Sequence, residues 1–164
     1  MCVCLPRVSS RSKIKDIGSV EPGEQIDLTA GVRIQCTHHF SDPEVQPGKL
    51  DIVLVPGPDP TSTYEKPVTD WLAAQAASKD TDILSVCTGI YLCGEAGLLK
   101  GKKVCGPRGL QSQLKSKFEG ATWFGEDLRW IQDGNFWSCG MLPPPPALTF
   151  ALILYPSIPF PGIS

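Results

Sequence analysis

The sequence has no apolar run approaching the roughly 18–20 residues that a membrane-spanning helix needs. Its basic N-terminus, MCVCLPRVSSRSKIK, lacks the apolar stretch of about 7–15 residues that marks a secretory signal. No Lys/Arg run dominates, and 15 basic against 17 acidic residues leave a formal charge of −2. That balance argues against nucleic acid or an anionic membrane surface as the main partner. There is no CxxC pair and no Cys/His set at zinc-ligand spacing, so neither a metal nor another cofactor is expected. Sulfur, by contrast, is abundant, with cysteines at 2, 4, 36, 87, 93, 105 and 139. An odd count without a signal does not describe a disulfide framework. It describes free thiols in a reducing, cytoplasmic setting.

The 164 residues suit one domain of ordinary size. Composition shifts sharply near residue 141. The last 24 residues, MLPPPPALTFALILYPSIPFPGIS, hold 7 of the 16 prolines and no charge, whereas the first 140 carry all 32 charges. Four consecutive prolines continue neither a helix nor a central strand. One reading is a polyproline linker with an apolar tail that docks on the domain; the other, preferred here, is a tail foreign to the domain. The division expected is a lead-in over 1–30, partly strand, an α/β domain over 31–140, and the tail over 141–164.

Within 31–140, short apolar runs alternate with amphipathic segments. DIVLV at 51–55 is continuous, as in a strand buried on both faces, and stops at Pro56-Gly57-Pro58-Asp59-Pro60. Val68, Trp71, Leu72 and Gln75 recur at helical spacing and predict a helix over 64–78, with Pro67 in its first turn. DILSV at 82–86 is a second buried strand running into Cys87. A helix over 88–99 is expected to stop at Lys100-Gly101. A strand over 102–105, a helix over 109–118 and a strand over 121–124 follow. Segments 128–132 and 135–139 flank Asp133-Gly134, a two-residue hairpin signal. The rhythm is that of an open, mostly parallel α/β sheet.

The junction Ser85-Val86-Cys87-Thr88-Gly89 carries the chemistry. A nucleophile on a tight strand-to-helix turn needs small residues two positions away on each side, because the backbone there is strained. Ser85 and Gly89 supply them. At a helix start, unpaired N–H groups favour the thiolate of Cys87. Those amides, with the Gly57–Asp59 loop, would form an oxyanion hole. The competing reading is a buried cysteine used as a small apolar residue, and spacing alone leaves the two even. Cys36, Cys93, Cys105 and Cys139, in strands or mid-helix, take that second reading. His38 and His39 are adjacent, so on a strand they point apart and cannot serve one site. Glu95 lies two turns beyond Cys87, too far to orient it; Arg108 after Gly106-Pro107 could bind an anionic group but is read first as a solvated cation, and Trp123, Trp130 and Trp137 as packing for the sheet and hairpin.

The stretches DIVLVPGPDP, DILSVCTGIYLCGEAGLLKGKKV and LRWIQDGNFWSCG resemble the DJ-1/PfpI (ThiJ) family of the class I glutamine amidotransferase-like superfamily, over about residues 14–140. The PGPDP run is most similar to fungal members. The resemblance implies a flavodoxin-like sheet with helices on both faces, a small-molecule substrate and, commonly, a homodimer. By position, Cys87 matches the elbow cysteine, Thr88 the residue whose backbone N–H helps hold substrate oxygen, and Gly57 and Pro58 the loop opposite. The family includes deglycase- or glyoxalase-like enzymes, isonitrile hydratases, proteases and redox-responsive chaperones. Cysteine-dependent hydratase, hydrolase or lyase chemistry on a small carbonyl or isonitrile follows, with a place in fungal secondary metabolism. The alternative is a non-catalytic redox-sensing or dimerising module, or an inactive truncated homologue. Three departures bear on this. The first βα unit of the family, which supplies an acid partner, and its last helix are both expected to be missing. Where many members carry a histidine, this chain has Cys105-Gly106-Pro107-Arg108. In the strand order 2-1-3-4-5, loss of the first strand leaves a gap that Val3–Leu5 would fill poorly.

Overall fold

The computed structural model describes residues 2–6, 15–18, 21–27 and 33–140; the rest of the lead-in and the tail at 141–164 lie outside the described residues. In chain order the strands are β1 (Cys2–Pro6), β2 (Lys15–Gly18), β3 (Gln25–Asp27), β4 (Arg33–Gln35), β5 (His38–His39), β6 (Leu50–Val55), β7 (Asp82–Val86), β8 (Lys103–Val104), β9 (Thr122–Trp123), β10 (Trp130–Asp133) and β11 (Phe136–Cys139). The helices are α1 (Lys66–Ala77), α2 (Gly89–Glu95) and α3 (Gln111–Lys117).

Seven strands form the main sheet, in the order β10-β11-β7-β6-β1-β2-β5. Its centre is parallel: β6 pairs with β7 and β7 with β11. The fold is α/β, with a flavodoxin-like open sheet. Antiparallel pairings flank that centre, at β10–β11 on one side and at β1 on the other. The gap expected beside β6 is therefore occupied. β1 pairs antiparallel with β6 from Val3↔Leu54 to Pro6↔Leu50, and its other edge pairs with β2. Each unpaired backbone donor or acceptor at that edge would be costly if buried, and even a five-residue strand satisfies them.

Strand alternation puts Val53, Val55, Ile83, Ser85, Phe136 and Ser138 on one buried face. Ile52, Leu54, Leu84, Val86, Trp137 and Cys139 are less buried and share the other. The crossovers from β6 through α1 to β7, and from β7 through α2 to β11, run the same way across the sheet, and because such crossovers are right-handed as a rule α1 and α2 cover the same face. There Trp71, Leu72, Ile90, Tyr91 and Leu92 pack with Val53, Val55, Ile83 and Phe136 in one core. Helix α1 buries Trp71, Leu72 and Gln75, three of the four positions at helical spacing in the sequence. The indole N–H of Trp71 and the amide of Gln75 both donate to the Val45 carbonyl, at 3.1 and 2.7 Å.

Three boundaries differ from the sequence expectation. Helix α2 ends at Glu95 rather than near 99. Gly97 takes φ +77°, its N–H donates to Gly94 O at 2.9 Å, and Leu98 N–H donates to Cys93 O at 3.0 Å. This paired Schellman bonding satisfies the last carbonyls and ends the helix before Lys100-Gly101 is reached. The hairpin turn is Gly134-Asn135, not Asp133-Gly134, because Asp133 pairs with Phe136. Gly134 at φ +67° with no positive φ at Asn135 is the type II′ solution, which places glycine first. Finally, β8 and β9 do not extend the main sheet but pair parallel with each other. They dock on the hairpin through side chains: Lys103 N–H donates to Asp133 Oδ2 and Cys105 N–H to Ser138 Oγ, both at 2.8 Å.

Candidate functional site

Parallel strands bring their carboxyl ends to one edge of the sheet, where open α/β folds place ligands. Here that edge gathers Pro56-Gly57-Pro58 after β6, Cys87 after β7 and Gly140 after β11. Cys87 holds φ +54°, and among the described residues it alone, apart from glycines, takes a positive φ. The left-handed region costs an L-residue roughly 1–2 kcal/mol, so surrounding contacts must enforce it. They are visible. Cys87 N–H donates to Cys139 O at 3.0 Å, continuing the β7–β11 ladder one step past the strand. Thr88 Oγ1 donates to Pro58 O at 2.6 Å and ties the other side of the turn to the β6 loop.

Close approach demands glycine twice. A Cβ at Gly89 would collide with the Val55 carbonyl oxygen and stand 3.0 Å from that of Pro56. A Cβ at Gly57 would meet Thr88 Oγ1 at 2.5 Å and Thr88 N at 3.1 Å. The small residues anticipated around Cys87 thus have a steric reason, and the decisive ones are Gly57 and Gly89. Cys87, Thr88, Gly57 and Pro58 do meet at one place. Pro58 has no N–H to offer an oxyanion; its role in the geometry is as acceptor for Thr88.

Other candidates fall elsewhere. His38 and His39 form β5 at the far edge of the sheet, as pointing-apart neighbours. His38 Nε2 lies 3.3 Å from Glu44 Oε2, and His39 Nδ1 2.6 Å from Ser41 Oγ. Glu44 also pairs with Lys15, and these hydrogen bonds, Lys15 first and His38 second, hold its carboxyl below the usual range. Glu95 pairs with Lys117 at 2.8 Å. Arg108 opens a short 3-10 turn, Arg108–Leu110, ahead of α3. Among the described residues no hydrogen bond or ion pair joins Cys87 to a carboxylate or histidine. Two surface cavities, about 240 and 310 Å³, are lined by neither Cys87 nor Thr88, Gly57 or Pro58. The elbow is open.

The remaining thiols divide by surroundings. Cys36, Cys93 and Cys105 are buried, whereas Cys87 and Cys139 keep partial exposure. Burial, then the Cys139 thiol, push Cys105 up to about 12. Burial also raises Cys139, opposed by the Cys87 N–H and reinforced by the Cys87 thiol. Sequence reasoning set Cys139 aside as packing. Its contact with Cys87 arises from strand order, across 52 positions, and has no local signature.

A profile of the DJ-1/PfpI family matches residues 9–154, which is most of the chain. The chain belongs to the DJ-1/PfpI family. Solved DJ-1/PfpI structures share its fold at low identity. A ThiJ/PfpI family protein from Pseudomonas syringae superposes with a TM-score of 0.62 at 24% identity, over 76% of this chain and 48% of that one. A ThiJ/PfpI domain protein from Brachyspira murdochii gives 0.62 at 16% identity, over 77% and 69%. Drosophila melanogaster DJ-1beta gives 0.58 at 21%, over 72% and 61%. The chain thus spans about half the length of the Pseudomonas DJ-1/PfpI protein. No curated protein matches it in sequence. No helix among the described residues is long and apolar enough to cross a membrane.

Proposed function

We propose that this DJ-1/PfpI protein acts through the Cys87 thiolate on a small electrophile, a reactive carbonyl or an isonitrile, in hydratase-, hydrolase- or lyase-type chemistry. The observation that carries the reading is the left-handed backbone of Cys87, held by Cys139 O on one side and the Thr88–Pro58 bond on the other. Strain of this kind is kept where surrounding structure over-determines it, and it clusters at reactive groups. In this reading Thr88 and Gly57 present N–H groups to the oxygen that gains charge as sulfur attacks. The cytoplasmic setting rests on the thiol-rich composition. The homodimer, the fungal affinity and a role in secondary metabolism rest on the resemblance of the PGPDP and CTG segments.

The second reading is a thiol that is oxidised rather than one that turns over substrate. It is favoured by the lack, among the described residues, of a carboxylate or histidine bonded to Cys87.

Two measurements test the first reading. Under native conditions at pH 7, a limiting alkylating agent should label Cys87 ahead of Cys36, Cys93, Cys105 and Cys139, as read by peptide mass spectrometry. Turnover of a reactive aldehyde or an isonitrile should then be lost in Cys87→Ser. Equal inertness of the two proteins toward both substrates would remove the enzyme.

A further inference from the structure

We propose that Cys87 and Cys139 form a peroxide-responsive pair, in which the Cys139 thiol resolves the sulfenic acid formed on Cys87 into an intramolecular disulfide. The proposal rests on the reading of Cys87 as the reactive thiol and adds a named partner to it.

Placement comes first. Parallel register sets Cys139 beside Val86, and the ladder continues with Cys87 N–H donating to Cys139 O at 3.0 Å. Adjacent strands lie roughly 4.7–4.9 Å apart, and disulfides accept Cα separations of about 4.4–6.8 Å, so neighbouring strand ends are within bridging range. Alternation assigns Val86 and Cys139 to one face and would send residue 87 to the other. The left-handed turn at Cys87 breaks that alternation. The Cys87 amide and thiol both bear on the Cys139 thiol, which accords with the closeness of the two strand ends.

Exposure points the same way. Cys87 and Cys139 are the partly exposed thiols among the described residues outside β1, and Cys36, Cys93 and Cys105 are buried. A hydroperoxide can reach the first pair. Cys105 is the third thiol nearby, but burial keeps it protonated and away from solvent.

The chemistry balances. The Cys87 thiolate attacks one oxygen of a hydroperoxide, the O–O bond breaks, and an alcohol or water leaves with a proton, giving Cys87–SOH. Cys139 then gives its proton to solvent and attacks the Cys87 sulfur. The S–O bond breaks, hydroxide leaves and takes up a proton as water, and an S–S bond forms. Two thiols are oxidised and one peroxide is reduced. Because burial raises the Cys139 thiol, the second step should quicken as pH rises.

The experiment uses the full chain, reduced, then treated with hydrogen peroxide near stoichiometry, capped with N-ethylmaleimide and digested without reductant. The wild type should lose two hydrogens and yield one linked peptide joining Cys87 to Cys139. In Cys139→Ser, dimedone should trap several-fold more sulfenic acid on Cys87, which then advances to the sulfinic acid. Cys139→Ala gives a second test if serine disturbs folding, with circular dichroism confirming the native sheet. Sulfinic acid forming on Cys87 equally fast in wild type and both variants would overturn the pair while leaving Cys87 reactive. So would a Cys105–Cys139 link. If Cys87 is neither oxidised nor alkylated ahead of the buried cysteines, the reading of Cys87 falls and the pair with it.

Discussion

Replacing Cys87 by glycine should give a more stable protein than replacing it by alanine, although glycine ordinarily weakens a chain. Both variants lack the thiol, so sulfur chemistry and packing of Sγ cancel in the comparison. At φ +54°, alanine keeps the left-handed penalty of roughly 1–2 kcal/mol and glycine escapes it. Against this, glycine gives up about 0.5–1 kcal/mol through its freer unfolded chain. It also forfeits the methyl contact at a half-buried site, a few tenths of the roughly 0.8 kcal/mol of a fully buried carbon. The remainder is about 0.5 kcal/mol in favour of glycine. Ala74, exposed in the middle of α1, provides the control, where the same exchange should cost about 1 kcal/mol. Urea unfolding followed by circular dichroism reads both. With a slope near 2 kcal/mol/M, the midpoint should stand roughly 0.25 M higher for Cys87→Gly than for Cys87→Ala, and roughly 0.5 M lower for Ala74→Gly than for the parent. A glycine deficit at 87 as large as the one at 74 would mean that residue 87 is not left-handed, and the elbow argument would fail with it.

Three further outcomes follow from neighbouring contacts. Gly89→Ala should destabilise by about 1–3 kcal/mol, because the backbone carbonyls of Val55 and Pro56 cannot move aside as a side chain can; an unchanged melting midpoint would contradict this packing. Ser85 and Ser138 sit side by side on the buried face, but only Ser138 has work to do. Ser138→Ala should cost about 1–3 kcal/mol by stranding Cys105 N–H, whereas Ser85→Ala, whose Oγ is buried without a hydrogen-bond partner among the described residues, should be neutral or stabilising, as chemical denaturation would show. Burial raises the Asp82 carboxyl, with the Trp137 indole N–H at 3.4 Å opposing it. Its native state therefore binds a proton more readily than its unfolded state. The stability this adds is complete below the ordinary carboxylate range and is lost as pH rises through and just above it; Asp82→Asn should flatten that slope in pH-dependent melting.

Much of this was legible because it is local. Continuous apolar runs marked β6 and β7, helical spacing marked the buried stripe of α1, and small residues around Cys87 marked a tight turn. Two of the misplacements share one cause, which is competition between two good local signals. Gly97 and Gly101 both adopt positive φ, but only the Gly97 bonds close on the carbonyls of α2, at Cys93 and Gly94. Asp133-Gly134 and Gly134-Asn135 are both turn dipeptides. The second is chosen because Asn135 Nδ2 lies within 2.9–3.1 Å of the Ala76, Ser78 and Thr81 carbonyls, contacts more than fifty positions away. Strand order is the least local feature of all. Nothing in VCL announces a central place beside β6, and nothing in WSCG announces that Cys139 holds the Cys87 amide.

That last bond gives the molecule an order of assembly. β6 and β7 lie about thirty residues apart, and a nascent chain can pair them early. β11 arrives more than fifty residues after β7, and until it does, β7 is an open edge. The carbonyl that fixes Cys87 belongs to Cys139, the final residue of β11, the last strand among the described residues. During synthesis the thiol is therefore made long before its geometry is complete, because one of the two contacts that hold the left-handed turn is absent until residue 139 has left the ribosome and docked. A chain stopped short of the hairpin would carry the cysteine with only the Thr88–Pro58 half of what holds it.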